Sequence, residues 1–211
     1  MSITNKELLA LDPAQTRPEE FCDTLFAYLT EAGQTMYDET VTQLEHALQC
    51  AALAEEAGYD APLRVAALLH DLGHLVLDEH DGCDDFLDTD QHHEIVGARL
   101  VTRWFGACVG GPVALHVPAK RYLVATDPAY LAGLSQASVR SLQVQGGPMT
   151  ERETTDFERL PHHREAVELR RWDDLGKVRD AEVPGLEHWR GAVLECLSRN
   201  TEQSADREAT R

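Results

Sequence analysis

The chain has 211 residues, a formal charge of −18, 43 % hydrophobic and 27 % charged residues, which is the composition of a globular protein and not of a disordered segment. The acidic balance excludes nucleic acid as a partner, because phosphate backbones would be repelled, and no apolar run approaches the roughly 18 residues of a membrane span. Cys22, Cys50, Cys83, Cys108 and Cys196 are odd in number and lack CxxC spacing, and no basic-then-apolar leader opens the chain, so a soluble cytoplasmic protein with reduced thiols is expected.

Pro18-Glu19-Glu20-Phe21 predicts a helix start with proline and acids in the first turn, running to about Ala32-Gly33 on a Phe21, Leu25, Tyr28, Leu29 stripe. A loop, Gln34 to Glu39, precedes a second helix in which His46, Cys50, Leu53 and Ala57 recur at i, i+4, i+7 and i+11, so His46 points with the core face. Gly58 closes it, and Asp60-Ala61-Pro62 starts the next helix, with Asp60 as N-cap. That helix delivers Leu68-Leu69-His70-Asp71-Leu72-Gly73-His74; on a continuous helix His70 and His74 share a face, with Asp71 about 100° round. Asp78 to Asp90 is strongly acidic and reads as a solvated loop or as a lid near a site.

His92-His93-Glu94 opens another helix. His93 shares a face with Val96, Leu100 and Trp104 and is read as the inward histidine, with His92 on the solvent side. Gly110-Gly111 predicts a break, Pro112 a new helix carrying His116 and Lys120, and Pro118 a kink within it. Further helices are expected over 131–144, 151–160 and 165–172, and a last one from Gly185 to about Leu197. No strand alternation stands out. The expected fold is all-α, one domain over residues 1–197, followed by a polar, mobile tail over 198–211.

A lone buried histidine is usually a satisfied core residue, but His46, His70, His93 and His116 come from four separate helices, with Asp71 beside the second. Imidazole and carboxylate donors together suit iron, zinc or manganese. The order H…HD…H…H…D is the pattern of HD-domain metalloproteins, with Asp173 as its last member.

The match goes beyond the ligands. Gln43 to Ala51, Ala66 to His74, Ala119 to Val124, Gln145-Gly146-Gly147-Pro148-Met149 and Trp172-Asp173 resemble the HD-domain mixed-valent diiron oxygenases that cleave phosphonates, over roughly residues 34–197. The resemblance implies an HD-type helical bundle with two irons, Fe(II)/Fe(III), in its core. His46, His70, Asp71 and Asp173 would hold one iron, and His93 and His116 the other, with Asp71 bridging. It also implies that Asp71 and Lys120 are catalytic and that His74, Lys120, Ser138 and Arg170 contact the phosphonate. A Tyr and a Glu upstream of the first His serve the site in such enzymes. Glu39 is in register with that Glu, whereas Met36 stands at the Tyr position and Tyr37 and Asp38 follow it. A rebuilt Tyr37-Asp38-Glu39 loop suits a quaternary ammonium, which favours aromatic faces and diffuse negative charge.

The expected reaction is therefore O2-dependent cleavage of (R)-1-hydroxy-2-(trimethylammonio)ethylphosphonate to glycine betaine and phosphate, on a substrate supplied by a separate hydroxylase. The alternatives are the same chemistry on 2-amino-1-hydroxyethylphosphonate, giving glycine, and a metal-dependent HD phosphohydrolase using a metal-bound water.

Overall fold

A computed structural model describes residues 3–37, 40–77 and 92–209, with side chains to 202. The described residues form helices and no strand, with a single isolated antiparallel bridge between Met36 and Thr42. The helices are α1 (Asn5–Ala10), α2 (Pro18–Ala32), α3 (Gln43–Glu56), α4 (Ala61–Leu69), α5 (Leu72–Val76), α6 (His93–Phe105), α7 (Ala107–Thr126), α8 (Pro128–Gly133), α9 (Gln136–Val144), α10 (Glu151–Phe157), α11 (His163–Leu175) and α12 (Arg190–Ala209). A 3₁₀ turn, Leu186–Trp189, leads into α12.

The bundle is built around α4. All its residues except Arg64 are buried, and α3, α7, α11 and α12 pack against it. A helix that is apolar all round has no solvent face to offer, so it must be enclosed. Among the helices around it, α7 and α11 bury polar as well as apolar groups. On α11, Arg170 and Asp173 lie on the stripe of Ala166 and Leu169, and on α7, His116 and Lys120 lie on the stripe of Val109, Val113 and Leu123. The Thr42–Glu45 capping box starts α3 just ahead of His46 and so sets its helical phase.

Several elements differ from what the sequence predicts. The helix entering the His-Asp pair does not run through it: α4 stops at Leu69, Asp71 adopts φ −99° and ψ 12°, and α5 begins at Leu72. The break falls not at Gly110-Gly111 but at Gly106, whose φ of 81° suits glycine, and α7 continues through both glycines, Pro112 and Pro118. Gly110 serves contact instead, since a Cβ there would meet Thr102 Oγ1 at 1.8 Å. The helix expected over 131–144 is two, α8 and α9, parted at Leu134-Ser135 where Ser135 caps the second.

Short α1, marked by a Thr4–Glu7 capping box, is an unforeseen element; Arg103 and Trp104 donate to the Leu9 and Leu11 carbonyls at its C-terminal end. The tail expected from Ser198 is helical to Ala209, because Glu, Gln, Arg and Ala favour a helix without a periodic apolar face. The acidic segment Asp78 to Asp90 lies outside the described residues.

The crossing of α5 and α6 is close, and it lies beside the His-Asp pair. A Cβ on Gly73 would lie 2.0 Å from His93 O, and Gly97 sits against the Gly73 backbone. Gly73→Ala is therefore expected to destabilise the fold by about 1–3 kcal/mol through overpacking. A urea midpoint equal to that of the wild type would show that the crossing relaxes freely.

Candidate metal centre

Asp71 sits at the helix break with one carboxylate oxygen toward each of two histidine pairs. Its Oδ2 lies 3.3 Å from His70 Nε2 and 3.6 Å from His46 Nε2. Its Oδ1 lies 3.6 Å from both His93 Nε2 and His116 Nε2. Asp173 closes the first group, with Oδ1 3.5 Å from His46 Nε2. Within each pair the Nε2 atoms are 3.3 Å apart, too close for two bare imidazoles to face each other without a shared cation or proton. His46, His70, Asp71 and Asp173 thus offer four ligand atoms within one metal-sized space. Both the inward histidine, His93, and its exposed neighbour His92 are where helical phase predicts.

The outer contacts settle which nitrogen faces inward. His46 Nδ1 lies 2.8 Å from Gly176 O, His70 Nδ1 2.9 Å from Ala67 O, and His116 Nδ1 2.7 Å from Val113 O. A carbonyl only accepts, so each Nδ1 carries a proton and each Nε2 is the nitrogen turned to the centre. Burial pushes His46 and His116 down to about 4 and His93 well below the ordinary histidine value, which keeps them neutral and ready to ligate. Burial also opposes charge on His70, but Asp71 and Asp173 beside it outweigh that and hold it up to about 9. Burial works against ionising Asp71 and Asp173 as well, yet His70 beside the first and Arg170 beside the second hold both carboxyls below the usual range. Four imidazoles with Nε2 turned inward, His70 giving up its extra proton when a metal binds, and two ionised carboxylates are a donor set for divalent or trivalent transition metals.

Buried cations flank this centre. Lys120 is 3 % and Arg170 4 % exposed. Arg170 donates to Asp173 Oδ2, as its i−3 position predicts, and also to Asp174. Lys120 Nζ donates to Ser141 Oγ at 2.7 Å, and Ser141 in turn donates to Ser138 O at 3.2 Å, so the lysine reaches the serine named from the sequence only through another. His74 stacks on His93 at 3.6 Å between centroids and lies 3.9 Å from Asp71 Oδ1. Tyr37 stacks on His46 at 3.9 Å and donates to Asp173 Oδ1 at 3.1 Å, while Met36 is half exposed. Tyr37 therefore belongs to the site and Met36 does not. Asp38 and Glu39 lie outside the described residues.

Sequence reasoning missed Ser141, Asp174, Gly176, Lys177 and Tyr130. Ser141 follows Ser138 by three, Asp174 follows Arg170 by four and Lys177 follows Asp173 by four, all spacings that place side chains together on a helix. Gly176 and Tyr130 carried no such signal.

Residues 44–121 match the HD domain family. The chain is 49 % identical, over 85 % of its length and 90 % of the relative's, to the hydroxymethylphosphonate dioxygenase of Gimesia maris. It is 39 % identical, over 77 % of its length and 82 % of the relative's, to the glycine-betaine-forming [1-hydroxy-2-(trimethylamino)ethyl]phosphonate dioxygenase of Leisingera caerulea. An uncharacterised protein of Acanthamoeba polyphaga mimivirus is 35 % identical over 80 % of this chain.

Since one Asp71 oxygen faces each histidine pair, Asp71→Asn should abolish uptake of Mn(II) or Fe(II) at both positions, whereas His116→Ala should retain the position next to His46 and His70. Metal at 100 times its Kd should stabilise the wild type by about 2.7 kcal/mol. Anaerobic metal titration with thermal unfolding measures both; equal losses in the two variants would contradict the shared carboxylate.

Proposed function

The chain belongs to the HD-domain phosphonate dioxygenases, and from that membership we propose that it cleaves the C–P bond of hydroxymethylphosphonate with dioxygen at a diiron centre, giving formate and phosphate. The observation that supports this best is the Asp71 carboxylate placed between two histidine pairs, with two buried cations alongside.

His46, His70, Asp173 and Asp71 Oδ2 would hold one iron, and His93, His116 and Asp71 Oδ1 the other. In the Fe(II)/Fe(III) state the pair would supply the redox chemistry that couples dioxygen to oxidation of C1. The side chains bind and orient. Lys120 and Arg170 present charged donors to the phosphonate oxygens, with Ser138 and His74 alongside, in a buried site where such bonds are shorter and stronger than in water. Asp71 would hold both metal positions through its two oxygens, and carbonyls behind His46, His70 and His116 keep those rings from turning. Hydroxymethylphosphonate and dioxygen together contain the atoms of formate and dihydrogen phosphate, so no further reductant is required.

The trimethylated substrate expected from the sequence is the second reading, favoured by the Leisingera relative. Tyr37 argues against it. One side of its ring stacks on His46, and the Lys177 ammonium sits 5.1 Å from its centroid, so the aromatic group meant for a substrate cation already has a cation of the protein's own. Hydroxymethylphosphonate has no cationic arm and needs no such pocket.

Iron-loaded protein should consume dioxygen and release phosphate in equal amounts from hydroxymethylphosphonate, faster than from either aminated compound. Preference for the trimethylated compound would restore the second reading, and phosphate release from ordinary phosphate esters without dioxygen uptake would replace the oxygenase with a hydrolase. Burial, reinforced by Arg170, lowers the Lys120 ammonium to about 7. Since only its protonated form attracts the dianion, kcat/KM should fall as pH rises above about 7. Lys120→Arg should lose that fall and Lys120→Met should lower kcat/KM about 10- to 100-fold; coincident pH profiles for the wild type and Lys120→Arg would rule out the lysine as their source.

A further inference from the structure

Arg170 is held more tightly than one salt bridge requires. Asp174 takes its Nε at 3.1 Å and its Nη2, while Asp173 takes Nη1. The Tyr130 hydroxyl, from α8, donates to the same Asp174 oxygen that accepts from Nε, and itself lies 3.1 Å from Nε. Nε, Tyr130 and Asp174 thus form a closed triangle that joins α8 to α11.

We propose that Asp174, backed by Tyr130, is a positioning residue that sets the plane of the Arg170 guanidinium for a substrate oxyanion. Arginine has five N–H donors. Asp174 takes two and Asp173 one, which leaves one on Nη1 and one on Nη2. The division also protects the metal centre. With its Nε edge engaged by Asp174, Arg170 takes Asp173 Oδ2 alone, and Asp173 Oδ1 stays toward His46. Without Asp174 the guanidinium could rotate about its stem, and the two remaining donors would lose their fixed direction.

The assignment rests on the phosphonate reading above, so its test has an arm that needs no turnover. Inorganic phosphate, the phosphonate's oxyanion analogue, is titrated by calorimetry into Mn(II)-loaded wild type, Asp174→Ala, Asp174→Asn, Asp174→Glu and Tyr130→Phe, with metal content and thermal midpoint measured for each. Asp174→Ala should weaken phosphate about 10- to 100-fold, the loss expected for a charge-assisted contact. Asp174→Asn should fall between Asp174→Ala and wild type, Asp174→Glu should recover most of the affinity, and Tyr130→Phe should lose about 2- to 5-fold, since it removes only a support behind Asp174. With hydroxymethylphosphonate, the same variants should raise KM in parallel and leave kcat nearly unchanged. Wild-type phosphate affinity in Asp174→Ala, a fall in kcat without a rise in KM, or loss of metal in step with loss of phosphate would each overturn the proposal. If the wild type cleaves no hydroxymethylphosphonate while phosphate binding still depends on Asp174, the substrate assignment fails and the positioning role stands.

Discussion

A carboxylate 8 % exposed among four imidazoles is the constraint from which the rest of this structure follows. An isolated buried charge costs many kcal/mol unless it is paired, and Asp71 is paired on both sides. Meeting both histidine pairs at once requires its backbone to leave the helix, and the chain does so at Asp71 itself. The turn places α5 against α6 so closely that only glycines fit at the crossing, and that closeness brings His93 to the second oxygen. The helix break, the close packing and the placement of the histidines are thus one arrangement.

Around this core the charges alternate in shells. Asp71 and Asp173 lie innermost, Arg170 and Lys177 lie against Asp173, and Asp174 lies beyond Arg170. Each added charge offsets the one inside it, which lets several ionised groups remain buried together. The same order bears on how an acidic protein takes an anion. With a formal charge of −18, the surface repels a phosphonate dianion at long range, although physiological salt screens exposed charges beyond about 8 Å. Lys120 and Arg170, being buried, escape most of that screening and act strongly at short range.

Many elements of the site were legible in the chain because their signals are local. Helical phase is enough to turn His46 and His93 inward, and Arg170 lies three residues before Asp173 on the same turn. Gly106 and Gly110 show where local signals stop. Gly110 reads as a breaker, yet it lies inside a helix to admit Thr102, and it is Gly106 that ends a helix through its positive φ. The difference is set by a neighbouring helix. Ser141 stands in for Ser138 at Lys120 for the same kind of reason, since both serines share a face of α9 and only the approach of α7 selects between them.

By itself the sequence determined the all-α class, the identity of the inward histidines and the HD order of the clustered His and Asp residues, because hydrophobic period and side-chain chemistry are carried by residues a few positions apart. The tertiary structure alone decided that Asp71 divides its two oxygens between the pairs, that Gly176 fixes the His46 tautomer, and that Tyr37 is already engaged by His46 and Lys177. Those facts depend on distances between groups as far apart in the chain as Tyr37 and Asp173, and only the packing of the helices around α4 sets such distances.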